Sequence, residues 1–421
     1  MPASAAEVAA ILARASADAI PVTIAGAATG VTGGSVAQGG WAVSLEKFRG
    51  LEIHESHATA GAGVLLQELQ AAAAHTRQFY PPDPTEWTAS VGGSIATNAS
   101  GSRSFRYGST RRWVDGLKVA LMDGRLMDIR RGHAVNFPVP ELPLPRTTKN
   151  TAGYSLRPGM DWIDLFTGSE GTLVVILEAD LRLLPAPDDL LSGVIFFESD
   201  VDALDAVEAW RSIETLRMIE YFDRNSLALL RERYSEVPPA ARAAVLIEQI
   251  GDDTTPWEPY AEGDSWFAFT PADRERFRAF RHALPEMVND VMRRRGFLKL
   301  GSDFAVPVDR NREMLAFYHD RLAKAALDYV IFGHIGDAHV HVNILPDSSD
   351  RFEAGKQLML DFARQAVSLG GTVSAEHGLG KRKSHLLPLQ FTPAEIEAMK
   401  SVKRRLDPQW LLGRGNIFTY P

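Results

Sequence analysis

The sequence predicts an α+β protein of two or three domains, in which the second half is built on a largely antiparallel sheet. The chain has 421 residues, which is too long for a single ordinary hydrophobic core. Up to about residue 185, short apolar segments alternate with glycine-rich turns, and Pro185 and Pro187 then indicate a domain boundary. From about residue 190, strand-like segments are separated by helical ones, which is typical of an α+β domain.

The first half begins with a predicted amphipathic helix and continues with short strands. Glu7, Arg14 and Asp18 interrupt the apolar residues at the start of the chain, so this segment is interpreted as a helix and not as a signal peptide. Strands are predicted at 21–26, 41–48, 57–63 and 172–185, a helix at 64–75, and a hairpin at 117–129 that turns at Asp123-Gly124.

The second half alternates strands and longer helices. Strands are predicted at 191–199, 217–223 and 243–251, and helices at 200–213, 272–284, 311–327 and 392–406. Thr270 supplies an N-cap and Pro271 a first-turn proline for the helix at 272–284. Pro285 is expected to disturb the end of that helix.

Composition and charge exclude several classes of function. The 45% of hydrophobic and 23% of charged residues are typical of a soluble globular protein. A net charge of -8 leaves no basic surface for nucleic acid, and no apolar run approaches the roughly 20 residues that cross a bilayer. The chain has no cysteine, so any metal must be held by His, Asp or Glu, and a cytoplasmic location is expected, with membrane contact only through a partner.

Two segments concentrate glycine beside small hydroxyl residues, GAATGVTGGS at 26–35 and SVGGSIATNASGS at 90–102. Such loops let the backbone approach a pyrophosphate and offer several N–H donors. Neither segment fits a Walker A loop or the GxGxxG of a Rossmann unit. Each alone is more often a tight turn, but the two together, with PPDP at 81–84 and GSEGT at 168–172, favour phosphate binding. Composition does not identify the nucleotide.

Histidines are concentrated in GHIGDAHVHVNILP at 333–346. Polar and apolar residues alternate there, so a strand would place His339, His341 and Asn343 on one face. His334 precedes them across a tight turn and could fold back toward His341.

A second polar cluster follows in SAEHGLGK, where Glu376 and His377 are adjacent. Neutral imidazoles together with one carboxylate suit Zn²⁺ or Mn²⁺, and His334, His341 and Glu376 are the candidate ligands. The alternative interpretation is a polar strand face whose histidines are hydrogen-bonded to their neighbours.

Binding of an acidic substrate by this acidic chain requires a local cation. Arg276, Arg278 and Arg281 lie on one predicted helix, and Arg281 is nearest to Pro285 and is therefore expected to enter a cleft. A guanidinium can bind a carboxylate through two parallel hydrogen bonds. Lys299 is a weaker candidate for the same role.

Five segments, in order through nearly the whole chain, carry recognisable motifs. They are PPDPTEWTASVGGSIATNASGSRSFRYGSTR, KNTAGYSL, LFTGSEGTLVVILEADLRLLP, GHIGDAHVHVNI and GGTVSAEHGLGKRKSHLL. These segments resemble motifs of the FAD-linked oxidases of the vanillyl-alcohol oxidase type. Within that superfamily they are most similar to D-lactate dehydrogenase, D-2-hydroxyglutarate dehydrogenase and the glycolate oxidase flavoprotein subunit.

The resemblance implies an α+β fold in which a PCMH-type FAD-binding domain carries an inserted α+β cap domain on a largely antiparallel sheet. It places the FAD-binding domain at residues 1–187 and the substrate (cap) domain, with the metal site, at 188–385. Residues 386–421 are expected to return to the FAD domain.

The resemblance also implies which residues bind the cofactor and the metal. The expected flavin contacts are Gly26, Ala27, Ala28, Thr29, Gly30, Pro82, Asp83, Ser90, Gly92, Gly93, Asn98, Gly101, Glu170 and Gly171. His334, His341 and Glu376 correspond to metal ligands. Asn343 and His377 correspond to residues beside the substrate, and Arg281 to the group that binds its carboxylate.

The chain departs from the family pattern at several positions. Ala25 and Ala28 stand where the pyrophosphate loop usually has arginine and a third glycine, and Gly413 where an asparagine is usual. His339 stands where an asparagine is usual. No histidine follows Gly26 within the loop and the chain has no cysteine, so the FAD is expected to be bound non-covalently.

The implied activity is FAD-dependent, metal-assisted oxidation of a small 2-hydroxy acid to the 2-oxo acid. Arg281 would bind the carboxylate, Asn343 would orient the substrate, and His377 would remove the hydroxyl proton, with His341 as the base if no metal is present. The electron acceptor is unidentified and could be a partner redox subunit. Two alternatives stay open: a flavin-binding subunit of a larger redox complex without its own turnover, and a flavin-fold synthase without net oxidation.

Overall fold

The computed structural model describes residues 1–261 and 263–419, and its strands form two large antiparallel sheets with helices packed on them. In chain order, strands β1 to β16 are Val22–Ala25, Trp41–Ser44, Leu51–His54, His57–Gly61, Gln78–Phe79, Val114–Ala120, Leu126–Arg130, Val175–Arg182, Leu184–Pro185, Leu190–Phe197, Leu216–Phe222, Ala243–Ile250, Trp266–Ala268, Leu300–Gly301, Tyr329–Gly333 and His341–Ile344. Helices α1 to α13 are Ala5–Ala17, Leu66–Ala74, Val91–Thr97, Ser104–Tyr107, Trp162–Phe166, Asp200–Trp210, Arg224–Leu230, Glu258–Ala261, Pro271–Arg295, Asn311–Ala325, Ser349–Ser368, Leu387–Gln390 and Pro393–Leu406.

The first large sheet has five strands in the order β3-β4-β8-β6-β7, and every neighbouring pair is antiparallel. Its central strand β8 is buried at its apolar positions, whereas Glu178, Asp180 and Arg182 are partly or fully exposed. The predicted hairpin between β6 and β7 is confirmed: the N–H of Leu121 donates to the carbonyl of Arg125 at 2.9 Å, and Gly124 adopts a φ of +87° in the turn. Beside this sheet, β1 and β2 form a short parallel pair.

The second large sheet has seven strands in the order β13-β10-β12-β11-β15-β16-β14, again with antiparallel neighbours. Its side chains alternate between two buried clusters, as the two-residue period of a strand requires. In β12, Ala244 and Leu246 belong to one cluster, and Val245 and Ile247 belong to the other. The sequence prediction of a largely antiparallel second sheet is confirmed.

Helix α9 packs on the second sheet and continues beyond the point at which it was expected to be disturbed. It begins after Thr270, whose side chain accepts a hydrogen bond from the N–H of Asp273, as predicted. The helix nevertheless runs through Pro285 to Arg295. The prediction that Pro285 disturbs the end of the helix is therefore wrong. Proline has no N–H to donate, which costs one backbone hydrogen bond. Burial of apolar side chains on both sides of the proline offsets that cost, since Phe280, Leu284, Val288 and Met292 are all buried.

The histidine-rich strand begins later than its alternating pattern predicts. Strand β16 starts at His341, and His339 lies in the preceding loop, after a turn in which Ala338 has a φ of +51°. Tertiary packing therefore sets the start of this strand, because β16 pairs with β14 and β15 only from residue 341 onward.

Seven of the described helices lie outside the elements that were predicted, namely α3, α4, α5, α7, α8, α11 and α12. Helix α11 carries Leu358, Phe362 and Ala366 on a buried stripe at four-residue spacing, and this signal could have identified it. Helix α3 begins inside a glycine-rich segment, and the side chain of Ser90 caps it by accepting from the N–H of Gly93. No helix in the two described ranges is both long enough and apolar enough to span a bilayer.

The last helix returns the chain to the first half of the molecule. The buried side chain of Lys403 in α13 donates to the carbonyl oxygens of Thr172 at 2.6 Å and Leu412 at 2.9 Å, and pairs with Asp407 at 2.5 Å. Strand β1 also forms a parallel bridge with Leu412. The domain limits at residues 187 and 385 stay predictions, although β9 ends at Pro185 and β10 begins at Leu190.

Replacing Lys403 by alanine is expected to lower the free energy of unfolding by about 3–5 kcal/mol, because the substitution leaves Asp407 buried without its partner. Lys400→Ala, on the same helix and less buried, is the matched control and is expected to change stability by less than about 0.5 kcal/mol. Urea unfolding followed by circular dichroism measures both. Equal stability of the two variants would contradict the anchoring role of Lys403.

Candidate active site

A cavity of about 1000 Å³ lies between the β1–β2 loop, helix α3 and strand β8. Most of the residues that were predicted to contact a flavin line this cavity. They are Gly26, Ala27, Ala28, Thr29, Gly30, Ser90, Gly92, Gly93, Glu170 and Gly171. The structure therefore brings together the two glycine-rich segments that are far apart in the sequence.

Ser90 holds the two glycine-rich segments against each other. Its Oγ accepts a hydrogen bond from the N–H of Ala27 at 3.3 Å as well as from Gly93 at 3.2 Å. A Cβ on Gly26 would lie 2.2 Å from Ser90 Oγ, and a Cβ on Gly92 would lie 2.7 Å from the Cβ of Ala62. The glycines thus permit close packing of the backbones that surround the cavity.

Four predicted flavin contacts lie outside the cavity lining: Pro82, Asp83, Asn98 and Gly101. Asn98 ends helix α3 with a φ of +50°, and its side-chain oxygen accepts from the N–H of Arg111. Gly101 packs on Asp83, whose carbonyl oxygen would lie 1.7 Å from a Cβ at that position. These residues support the segments that form the cavity. Flavin contact stays a prediction for all fourteen positions.

The three predicted metal ligands are close together in a second site. Glu376 Oε1 lies 3.3 Å from His334 Nε2 and 3.3 Å from His341 Nε2. His334 directly follows β15, His341 begins β16, and Glu376 lies in the 374–381 loop, so the pairing of two strands places the two histidines beside each other. One ligand atom from each of these residues and from His339 lies within 4.8 Å of the others.

Each of the two predicted histidine ligands has a hydrogen-bond partner on the nitrogen that faces away from Glu376. Nδ1 of His334 lies 2.5 Å from Glu220 Oε1, and Nδ1 of His341 lies 3.2 Å from the carbonyl oxygen of Ser302. Partners of this kind fix the orientation and the tautomer of metal-binding imidazoles. Both Nε2 atoms are therefore left to face the space beside Glu376.

The other oxygen of Glu376 is held by groups that the sequence analysis did not identify. Lys149 Nζ lies 3.2 Å from Oε2, and the hydroxyl of Ser100 donates to the same oxygen at 3.3 Å. The Lys149 side chain is 1% exposed, so its charge requires partners, and it also donates to the Gly101 carbonyl at 3.0 Å and faces Asp337 at 3.5 Å.

Neighbouring charges keep the buried carboxylates of this site ionised. Burial alone would raise the pKa of Glu376, but Lys149 and the adjacent His334 hold the pKa well below its usual value. Burial would also raise the pKa of Glu220, which Arg281 and His334 hold below its usual range. Although burial opposes its charged form, His334 has a raised pKa because Glu220 lies beside it.

Arg281, the predicted carboxylate-binding residue, already has a partner inside the protein. Its Nε donates to Glu220 Oε2 at 2.7 Å, while its two terminal nitrogens make only long contacts, at 3.4 Å, with Thr85 Oγ1. Arg281 also lines a second cavity of about 880 Å³, together with Arg278 and Arg274. The terminal nitrogens thus stay available for a carboxylate, and this role stays a prediction.

The two predicted substrate-side residues lie next to the histidine cluster. His377 Nδ1 is 3.3 Å from Asp303 Oδ1, and its ring stacks on that of His341 with centroids 5.5 Å apart. Asn343 is buried two residues after His341 on the same strand, and its Nδ2 has no hydrogen-bond partner among residues 1–261 and 263–419. An unpaired amide donor of this kind is available to a ligand.

Asp303 is a further residue that sequence reasoning missed. It is fully buried, and its carboxylate accepts from the N–H of His377 at 3.0 Å and from the hydroxyl of Ser374 at 2.8 Å. Asp303 and Glu220 carry the same signal in the sequence, namely one acidic residue within an otherwise apolar segment. Such a residue needs a buried partner, although the sequence does not indicate which one.

The two sites adjoin each other through Glu170. This residue lines the cavity, and its carboxylate accepts from the N–H groups of Leu379 at 2.8 Å and Gly380 at 2.6 Å, in the loop that carries Glu376. Burial raises the pKa of Glu170 to about 7. The structure thus places a glycine-lined cavity beside a cluster of imidazoles and carboxylates, an arrangement expected of a cofactor-dependent enzyme.

Comparison with known proteins gives the family. Residues 1–130 match the model of an FAD binding domain, and residues 187–417 match that of the FAD linked oxidases, C-terminal domain. The chain belongs to the FAD-linked oxidase family, and it is an FAD-dependent oxidoreductase. The predicted family and the PCMH-type fold class are confirmed.

Full-length relatives include dehydrogenases and an oxidase subunit. The chain is 30% identical to a D-lactate dehydrogenase of Archaeoglobus fulgidus, over 99% of this chain and 90% of the relative. It is 31% identical to the glycolate oxidase subunit GlcD of Bacillus subtilis, over 98% and 87% of the two chains. It is 30% identical to a D-2-hydroxyglutarate dehydrogenase of Xanthomonas citri pv. viticola, over 99% and 88%.

Solved structures share the fold at lower identity. An alkyldihydroxyacetonephosphate synthase is 15% identical with a TM-score of 0.70, covering 98% of this chain and 75% of that one. A 4-ethylphenol oxidase of Gulosibacter chungangensis is 17% identical with a TM-score of 0.69, covering 100% and 88%. At these identities the likeness establishes the fold only.

Replacing Gly30 by leucine is expected to weaken FAD binding by at least about tenfold, an effect of about 1.4 kcal/mol. Gly30 lines the cavity and a Cβ there would meet no atom within 4 Å, so the side chain would take up cofactor space without disturbing the fold. Titration of the apoprotein with FAD measures the effect. Gly50→Leu, which is equally unhindered but outside the cavity, is the control. Equal affinities would show that FAD binds elsewhere.

Proposed function

We propose that this protein oxidises a small 2-hydroxy acid to the 2-oxo acid, with FAD in the cavity between the two glycine-rich segments and a divalent metal at His334, His341 and Glu376. The observation that carries the proposal is the position of the 374–381 loop, which supplies Glu376 to the histidine cluster and is bound by Glu170 of the cavity wall. A substrate beside the cluster would thus lie next to the cofactor.

The residues that line the cavity suit FAD, and those of the histidine cluster suit a divalent metal. The cavity is lined by glycine-rich backbone, which lets the phosphates of a cofactor approach closely. The cluster offers imidazole and carboxylate donors, which suit Zn²⁺ or Mn²⁺.

The charge around the cluster also suits a dication. The carboxylate of Glu376 supplies the negatively charged ligand of this set, and Lys149 and Ser100 hold its other oxygen.

Each bound group would supply one part of the chemistry. FAD would supply the hydride acceptor. The metal would supply a Lewis acid that lowers the pKa of the substrate hydroxyl.

The chain itself binds the substrate and removes its proton. The terminal nitrogens of Arg281 bind the carboxylate, and Asn343 Nδ2, which lacks a partner, orients the substrate through a hydrogen bond. His377 accepts the hydroxyl proton at Nε2, because its Nδ1 faces Asp303 and carries the other proton. Without a metal, His341 would be the base, since its Nε2 would then be free to accept a proton.

The substrate class is supported by the relatives, whose names include D-lactate, glycolate and D-2-hydroxyglutarate. Which hydroxy acid and which electron acceptor this chain uses are not assigned. The cytoplasmic location, with membrane contact only through a partner, stays a prediction.

One observation favours a second candidate, a flavin-binding subunit within a larger redox complex. The Bacillus subtilis relative is named a subunit. The cluster of His334, His341 and Glu376 is complete in this chain, which favours turnover by the chain itself. The synthase among the solved structures shares only the fold and gives no support for a reaction without net oxidation.

Anaerobic mixing tests the proposal directly. The purified protein is expected to show a flavin spectrum that is bleached by at least one of D-lactate, glycolate and D-2-hydroxyglutarate, and a chelator is expected to abolish the bleaching. A colourless protein that cannot be reconstituted with FAD would contradict the cofactor assignment. Bleaching that survives complete metal removal would contradict the metal assignment alone.

Substitution of His377 by glutamine is expected to lower the rate of flavin bleaching by about 10²–10⁴-fold, because the proton acceptor is lost while substrate and FAD still bind. His385→Gln, at an exposed position nearby in the sequence, serves as the control. Stopped-flow absorbance measures the rates, and the flavin content of each variant is measured alongside. Similar rates in both variants would rule out His377 as the base.

His334→Ala is expected to remove both the metal and turnover, since one of three predicted ligands is lost. Elemental analysis after dialysis measures the metal, and stopped-flow absorbance measures turnover. Unchanged metal content together with unchanged turnover would show that the metal part of the proposal is wrong.

A further inference from the structure

His339 lies inside the histidine cluster, although the proposed ligand set does not use it. The residue is fully buried, with its ring centroid 4.5 Å from that of His341 and 5.4 Å from that of His334. One of its ring nitrogens lies within 4.8 Å of the ligand atoms of His334, His341 and Glu376. The geometry thus includes a third imidazole in the same space.

Neither ring nitrogen of His339 has a hydrogen bond within the described part of the chain. The nearest carboxylate is that of Asp303, whose Oδ1 is 3.3 Å from His339 Nε2 but poorly aligned. A buried imidazole without partners is costly, so such a residue is expected to have a ligand.

The neighbouring histidines indicate how the His339 ring could bind a metal. In His334 and His341 one nitrogen faces an acceptor outside the cluster, and the other faces Glu376. In His339, Nε2 lies 3.3 Å from Asp303 Oδ1, and Nδ1 has no partner within the described residues. An imidazole with a carboxylate behind one nitrogen is a common metal ligand through the other.

We propose that His339 is a fourth protein ligand of the metal, so that this chain binds the ion through three imidazoles and one carboxylate. The proposal rests on the proposed function, and it extends the set of three residues that the family resemblance implies, since an asparagine is usual at position 339.

The fourth ligand bears on which metal can serve the reaction. Zn²⁺ in proteins is usually tetrahedral, and four protein ligands would fill its coordination. Mn²⁺ accepts six ligands, so the same residues would leave two positions open. The set with His339 therefore favours an ion of higher coordination number as the working metal.

Counting the bound nitrogens tests the proposal. Protein with ¹⁵N-labelled histidine is freed of metal and loaded with Mn²⁺, and pulsed electron paramagnetic resonance then counts the coupled ring nitrogens. Three are expected in the unsubstituted protein and two in His339→Gln, with Mn²⁺ affinity lowered at least about tenfold in a chelator competition. His319→Gln is the control, because this half-buried histidine lies outside the cluster, beside Tyr329, and is expected to leave three.

Two couplings in the unsubstituted protein would overturn the proposal, and so would three couplings with unchanged affinity in His339→Gln. The first readout needs no variant, so it decides the matter even if His339→Gln does not fold. The metal part of the proposed function would fail on a different result. In that case the unsubstituted protein binds no Mn²⁺, or His334→Ala keeps every nitrogen coupling of the unsubstituted protein. If the unsubstituted protein shows only two couplings, one lost on substitution of His334 and the other on substitution of His341, the proposed function stands and only the role of His339 is contradicted.

Discussion

The candidate site depends on keeping the carboxylate of Glu376 charged inside the protein. A carboxylate removed from water is costly unless it is paired and hydrogen-bonded. Lys149 and Ser100 hold one oxygen, and the imidazoles of His334 and His341 face the other. The protein thereby presents a charged oxygen, with its orientation fixed, to a space lined by imidazole nitrogens.

The position of the 374–381 loop follows from the same need to satisfy buried polar groups. Asp303 accepts from the backbone N–H of His377 on one side of the loop, and Glu170 accepts from those of Leu379 and Gly380 on the other. One short loop is therefore fixed from both the second sheet and the wall of the cavity. This explains how a cofactor site and a cluster on different sheets come to adjoin each other.

Much of the architecture could be predicted from local patterns, whereas the contacts that complete the site could not. Two-residue alternation identified His341 and Asn343 on one strand, and glycine content identified both walls of the cavity. Lys149, by contrast, reaches Glu376 across 227 positions of sequence, and Glu220 reaches His334 across 114. The pairing of β11 with β15 brings Glu220 to His334, whereas Lys149 and Glu376 both lie in loops, and no local pattern encodes either contact. The continuation of α9 through Pro285 has a similar cause, since packing of its apolar face outweighs one lost hydrogen bond.

Glu220 lies between Arg281 and His334, with one carboxylate oxygen on each. An anion bound by the terminal nitrogens of Arg281 would offset part of the guanidinium's charge and leave more of the Glu220 charge to His334. The affinity of His334 for a cation would then change with occupancy of Arg281. By thermodynamic reciprocity, the cation would alter the affinity for the anion by the same factor. Through a single shared carboxylate, substrate and metal binding would be energetically linked without any movement of the backbone.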